Sequence, residues 1–191
     1  MSALAFWLSA ATATLCTLLA ASWAVVEYVA SQARWIQTIE DCSPTLLWLG
    51  CPSSTKAFKA RVHGLKEVLS KMTPQTLVIS GTPTEVEACL ELIAIPKGVK
   101  LIADAQGYRT YASLRNLPTS SQSVTVLSHR FHLKRVAFLA SGLSVSTSLY
   151  PVGEKLGPWT TRGRWREAFA RLRAVVDRLF PPLEQKQKRN H

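Results

Sequence analysis

The first 26 residues of the chain carry no charged side chain. Glu27 is the first, and all 23 Lys and Arg and all 12 Asp and Glu lie at or behind it. Within that stretch Ala3 to Val26 holds 19 apolar residues in 24, broken only by Ser9, Thr12, Thr14, Thr17 and Ser22. As a helix rising ~1.5 Å per residue this run reaches about 36 Å, enough to cross a hydrocarbon core of ~30 Å. Residues 1–30 are therefore read as one transmembrane helix, in contact with the membrane through residues 3–26, with Trp7 and Trp23 near the two interfaces. Two alternatives stay open. Ser31-Gln32-Ala33 is a small-x-small cleavage pattern, although the apolar region is longer than a signal peptide's and has no basic start; a buried helix of a soluble protein is the other. Arg34, beside Glu27, Glu40 and Asp41, gives orientation only a weak lean towards a cytoplasmic domain.

Behind the leader the composition is that of one basic globular domain. A net charge of +11 with 47% hydrophobic residues excludes a disordered polyelectrolyte, a collagen-like repeat and a disulfide-packed mini-protein. Short β-rich runs at Thr45–Leu49, Thr76–Ile79, Val99–Ala103, Val124–Leu127 and Ser144–Leu149 alternate with helically spaced segments at Lys56–Lys71, Thr84–Ile93 and Phe131–Ala140. Nearly continuous apolar strands separated by helices predict an α/β fold: a three-layer, doubly wound, mostly parallel sheet. A closing helix over Arg162–Phe180 carries Trp165, Ala168, Phe169, Leu172, Val175, Val176 and Leu179 on one stripe and stops at Pro181-Pro182. The expected organisation is a helix over 1–30, a connector over 31–44, the α/β domain over 45–180 and a disordered basic tail over 181–191. Cys42 and Cys51 flank a strand that holds them roughly 30 Å apart, beyond bridging distance, which leaves Cys51 with Cys89 as a conceivable pair.

In an open α/β sheet, ligands bind outside the carboxyl ends of the strands, where loops enter helix N-termini that favour anions. Four polar clusters fall there: GCPSST (Gly50–Thr55), SGTPTE (Ser80–Glu85), DAQGYRT (Asp104–Thr110) and SHRFH (Ser128–His132). Gly81 and Gly107 together with Arg109, Arg130, His132 and Arg135 have the makings of an anion pocket, backbone N–H groups and guanidinium forks taking the charge.

The blocks DAQGYRTYASLRN (Asp104–Asn116), SHRFHLKRVAFLASGL (Ser128–Leu143) and REAFAR (Arg166–Arg171) resemble SanA-like members of the YdcF/SanA/ElyC family of bacterial envelope proteins. The resemblance extends more faintly through WLG at Gly50 and VISG at Gly81. It implies a Rossmann-like domain on one helix in the bacterial inner membrane, facing the periplasm, with a part in envelope barrier integrity or peptidoglycan-related metabolism. It also implies site roles for Gly81, Asp104, Gly107, Arg109, Thr110, Arg130, His132, Arg135, Arg166 and Glu167. The chain departs from the family pattern after the second strand, where TPTEVE offers Glu85 or Glu87 in a shortened loop, and in its shorter first loop.

Two functions follow as expectations. In the first the domain binds a phosphate-bearing or other anionic envelope metabolite. Arg109, Arg130 and Arg135 would clamp it, Asp104 or Glu85 would orient or activate a nucleophile, and His132 would pass a proton. In the second the pocket is degenerate and the chain is a non-catalytic, membrane-anchored interaction factor. Each residue has a plainer role beside these: Asp104 a helix cap, Arg109 half of a surface ion pair, His132 a satisfied histidine, the Arg-rich last helix a solvated face. His129 and His132 with Asp104 are too thin a set for a metal, and no cofactor is named by any motif. The basic balance comes with no recognised nucleic-acid motif or stacking platform, so no nucleic acid is expected.

Overall fold

A computed structural model describes residues 3–118, 122–153 and 161–181. The polar tail expected to be disordered lies, from residue 182 on, outside the described residues. The elements in chain order are α1 (Ala3–Ser31), β1 (Arg34–Trp35), β2 (Thr45–Leu49), α2 (Lys56–Lys71), β3 (Thr76–Ser80), α3 (Pro83–Leu92), β4 (Lys100–Asp104), α4 (Thr110–Arg115), β5 (Ser123–Ser128), α5 (Arg130–Ala140), β6 (Ser146–Pro151) and α6 (Thr161–Leu179). All six strands pair in parallel, in the order β1-β6-β5-β2-β3-β4. The fold is α/β and Rossmann-like, as the alternation of runs predicts.

The two faces of the sheet are covered separately. Along β2, whose five residues are all buried, Leu47 and Leu49 point into one core with α1, α4, α5 and α6, while Leu46 and Trp48 point into the other with α2 and α3. This is the period-2 alternation of a strand buried on both sides. Phe58, Val62, Leu65 and Val68 seat α2 on the second core, and Thr55 caps that helix by accepting the Phe58 N–H at 3.1 Å. Two elements escape a pattern reading. β1 is two residues long, too short to carry periodicity, and it extends the sheet out of what reads as connector. α4 begins at Thr110, the last residue of the third polar cluster, and at six residues is too short to show a period.

α1 is apolar enough to cross a membrane from Ala5 to Ser31, yet its last turns belong to the domain. Leu19, Ser22, Val26 and Ala30 are buried at helical spacing, and Val26 and Ala30 pack with Val136, Ala137 and Ala174. From Phe6 to Leu18 the large side chains are exposed.

α6 corrects an expectation. Most of its apolar stripe faces outward: Trp165, Phe169, Val176 and Leu179 are exposed and Ala168, Leu172 and Val175 only half-buried, Val175 against the core, while Glu167, Arg171 and Ala174 are the buried residues. The physical reason is an ion network. Arg171 donates from Nη1 to Glu27 Oε1 at 2.9 Å and from Nε to Glu167 Oε1 at 3.3 Å, with its guanidinium 3.8 Å over the Trp23 ring. Rotating the apolar stripe inward would break all three contacts and strand buried charges, which costs several kcal/mol each.

A full chain shortened to begin at residue 34 loses Val26, Ala30 and Glu27 together, uncovering α5 and leaving Arg171 short of a carboxylate. We expect it to aggregate or melt at much lower temperature, whereas a chain beginning at residue 18 keeps those contacts and stays folded. Soluble yield and thermal unfolding of the two truncations decide this, and an intact, stable domain from residue 34 would sink the account of α1.

Candidate functional site

The carboxyl ends of β2, β3, β4 and β5 border one cleft of about 230 Å³, at the point where strand order reverses between β2 and β5. This is the crevice in which open α/β sheets hold ligands. Of the residues singled out in the sequence, Glu85, Gly107, Thr110, His132, Arg135 and Arg166 line it. Gly81 lies beneath it in close packing: a Cβ there, or on Gly50, would fall 2.7 Å from Glu85 Oε2. Asp104, Arg109, Arg130 and Glu167 are not in the lining.

Those four are engaged elsewhere. Asp104 Oδ2 accepts the Ser80 hydroxyl at 2.6 Å and Oδ1 accepts the Gln106 N–H at 3.3 Å, fixing the turn after β4. Arg109 reaches Asp177 on α6 at 3.7 Å. Arg130 stacks over Trp35, 5.1 Å from the ring centre. Glu167 stands behind the cleft, where Arg135 Nε lies 3.2 Å from its Oε1, an ion-pair distance without hydrogen-bonding alignment. Burial pushes the Glu167 carboxyl up, against the pull of Arg135 and Arg171. Its work is to position Arg135.

Three guanidinium groups border the cleft, and one of them eludes the sequence reading. Arg61 is 3% exposed; its Nη1 donates to the carbonyls of Leu49 and Gly50 at 2.7 and 2.8 Å, and its Nε to His129 Nδ1 at 2.6 Å. The signal was present: Arg61 sits on the stripe Phe58–Arg61–Leu65–Val68, a charge at core spacing. Arg135 is deep-set, and desolvation lowers its pKa without removing the charge of a group this basic. Arg166 is exposed, and makes no hydrogen bond or ion pair among the described residues. Against these three stands one carboxylate at the lining, Glu85, whose Oε2 already accepts the Thr82 N–H at 3.0 Å as the return half of a capping box. The cleft is cationic.

Both histidines are neutral there. His132 is flanked by hydroxyls, Thr110 Oγ1 at 3.0 Å from Nε2 and Ser128 Oγ at 2.9 Å from Nδ1, and burial with Arg135 and Arg61 nearby pushes its pKa well below the usual value. His129 is pushed down to about 4 by burial and by Arg61. Because its Nδ1 accepts from Arg61, the proton is assigned to Nε2, which is buried without a hydrogen-bond partner among the described residues. Cys51 also lines the cleft, but burial raises its pKa, so the thiol stays protonated; all four cysteines are free. Among the described residues, no three His, Cys, Asp or Glu side chains gather as a metal set.

Gly107 closes the far wall. A Cβ on it would run into Ser80 Oγ and come within 2.7 Å of the Gly81 backbone nitrogen and 2.9 Å of Ser113 Oγ, so the loop after β4 can approach β3 only as glycine.

No family model, no curated protein and no solved structure matches this chain.

Two outcomes check this geometry. Gly107→Ala should cost about 1–3 kcal/mol by overpacking against a backbone atom, read as a lowered midpoint of unfolding; an unchanged midpoint would show that the loop does not pack as described. The pH response follows from the histidines. Their folded pKa values lie below the unfolded ~6.5, so their stabilising contribution is complete above pH ~6.5. It is lost as pH falls towards about 4, where His129 titrates in the fold, at about 1.4 kcal/mol per pH unit for each ring. His129→Gln should flatten the fall in stability between pH 6.5 and 4.5 by about one proton's worth. A parallel profile for the variant would refute the burial of a neutral ring.

Proposed function

We propose that this chain is a membrane-anchored binding protein whose cleft holds a phosphate-bearing or similar anionic ligand. The observation that carries the reading is the convergence of Arg61, Arg135 and Arg166 on one crevice at the strand-order reversal, opposed by a single carboxylate that is already hydrogen-bonded. Guanidinium forks bind phosphate or carboxylate oxygens in pairs of charge-assisted hydrogen bonds. Arg166 is placed to engage the ligand from the open side, and Arg135 to meet it from below with Glu167 holding its Nε edge. The resemblance to SanA-like proteins supports a role in barrier integrity or peptidoglycan-related metabolism, at the bacterial inner membrane with the domain in the periplasm.

Binding, rather than turnover, is what the side-chain contacts favour. Asp104 is held by Ser80 and Gln106, Glu85 by the start of α3, and His132 by two hydroxyls, so each candidate acid or base is committed to a structural hydrogen bond. The same commitments favour the second reading, a non-catalytic interaction factor. It differs in predicting that a variant with a dead cleft still functions, provided the domain remains on α1.

Inorganic phosphate titrated into the detergent-solubilised full chain should raise its unfolding temperature, since a ligand of the native state stabilises by RT ln(1 + [L]/Kd). Arg166→Gln should weaken that binding about tenfold, the worth of one charged hydrogen bond, at unchanged intrinsic stability. Arg135→Gln should abolish it and cost about 3 kcal/mol of stability by leaving Glu167 under-compensated. Absence of any stabilisation of the parent chain by phosphate would sink the reading.

A further inference from the structure

We infer that the cleft opens onto the bilayer surface and takes its phosphate from a lipid headgroup. The inference rests on the anion-binding reading and the membrane anchor, and adds where the ligand comes from.

It starts from the direction in which α1 leaves the domain. α5 begins at Arg130, directly after the carboxyl end of β5, and runs back along the sheet. α1 lies beside it in the same sense: Glu27 meets Lys134 at 2.7 Å, and further on Val29, Gln32 and Ala33 share a hollow with Ala137, Ala140 and Ser141. Arg130 is about one turn ahead of Lys134, so α1 passes the level of the carboxyl rim about one turn ahead of Glu27, near Trp23. The apolar part of α1 therefore projects from the edge of the sheet that bears the cleft. A helix that left from the opposite edge would have held the cleft a full domain away from the membrane.

Burial then fixes how close the rim comes. Leu19 and Ser22 are buried, so protein covers α1 up to that turn, while the large side chains from Phe6 to Leu18 are exposed and face the lipid. Trp23, level with the rim, is about one turn from that exposed stretch, roughly 7 Å at ~1.5 Å per residue. That distance puts the rim in the headgroup layer instead of well clear of it. The side chains exposed around the mouth suit that layer. Tyr108, which lines the cleft, is 68% exposed, and Trp165, next to Arg166, is 57% exposed. Tyr, Trp and Arg are the residues that reside at a lipid–water boundary.

Size selects among phosphates. At about 230 Å³ the cleft falls below the ~300–1,000 Å³ that encloses a drug-sized ligand. It accommodates a headgroup phosphate while the remainder of the molecule stays outside. A lipid meets that condition with its tails left in the bilayer; a free nucleotide would leave its base and sugar in water. Free inorganic phosphate shares the recognition chemistry, and the two sources are separable by experiment.

The full chain, reconstituted into vesicles of phosphatidylethanolamine and phosphatidylglycerol, would carry the photo-cross-linking residue p-benzoylphenylalanine at one of four positions. These are Leu15 in the anchor, Tyr108 at the mouth, Trp165 beside it, and Lys97 in the turn before β4 at the opposite edge. We expect phospholipid adducts at positions 15, 108 and 165 and none at 97. The adduct at 108 should drop about tenfold with Arg166→Gln or with inorganic phosphate in excess, the adduct at 15 being unaffected. Adducts at 15 alone, or at 97 as much as at 108, would overturn the inference; if phosphate still stabilised the solubilised chain, the anion-binding reading would stand without it. A protein adduct in place of lipid at 165, or no lipid adduct at 15, would overturn it as well. Lipid adducts at 108 indifferent to both Arg166→Gln and phosphate would show a rim at the membrane that holds no headgroup, and would overturn the ligand assignment.

Discussion

The structure turns on one buried charge, the Arg171 guanidinium, 1% exposed between two carboxylates from different helices. Glu27 arrives from α1, Glu167 from α6 itself, and Trp23 covers the planar face. A buried ion cluster of this kind adds little net stability over well-packed apolar groups, because desolvation offsets most of the Coulomb attraction. What it contributes here is register. Only one rotation of α6 satisfies Arg171 and Glu167 together, and that rotation turns Trp165, Phe169, Val176 and Leu179 to the outside. Burial energy alone would have chosen the opposite face, at roughly 1.5–3 kcal/mol per large side chain.

The same network sets the chemistry of the cleft. Glu167 stands between Arg171 and Arg135, so the cation presented to the crevice is fixed from behind by a carboxylate that is itself pinned. Arg61 is pinned in another way, by two carbonyls at the end of β2 and a neutral ring. Both are positioned before any ligand arrives, which reduces the ordering cost of binding. Arg166 is the contrast, exposed at the mouth with no hydrogen bond or ion pair among the described residues. Two fixed cations and one exposed one make a site that recognises charge at a point and leaves space beyond it.

Much of the layout was legible from residue patterns. α2 occupies Lys56–Lys71 as its spacing predicts, and β2 occupies Thr45–Leu49, because apolar periodicity is a direct consequence of which face is buried. The rim was legible for a similar reason: in a parallel sheet every loop following a strand emerges on one edge, so GCPSST, SGTPTE, DAQGYRT and SHRFH had to meet. The destination of each side chain along that rim was not legible. Asp104, Arg109 and Arg130 start at the edge and turn to Ser80, Asp177 and Trp35, partners distant in sequence. β1 is too short for any pattern. α6 misleads because its outward stripe has the spacing of a core face, and the ion network that overrides it joins residues 144 positions apart. Arg61 is the reverse case, a charge on a genuine core stripe and hence a readable anomaly.

One turn of α5 shows how the parts are coupled. His132 turns to Thr110 and Ser128, Lys134 to Glu27, and Arg135 to Glu167 and the cleft. Neighbouring helix positions point about 100° apart, so three residues of this turn serve the loop after β4, the anchor and the ligand site, while Leu133 between them enters the core. The anchor and the cleft therefore share a rigid mount one residue wide, closed on its other side through Glu27, Arg171 and Glu167. In such a ring no member moves without disturbing its neighbours. The angle at which α1 leaves the domain and the position of the Arg135 guanidinium are thus set by the same set of charges.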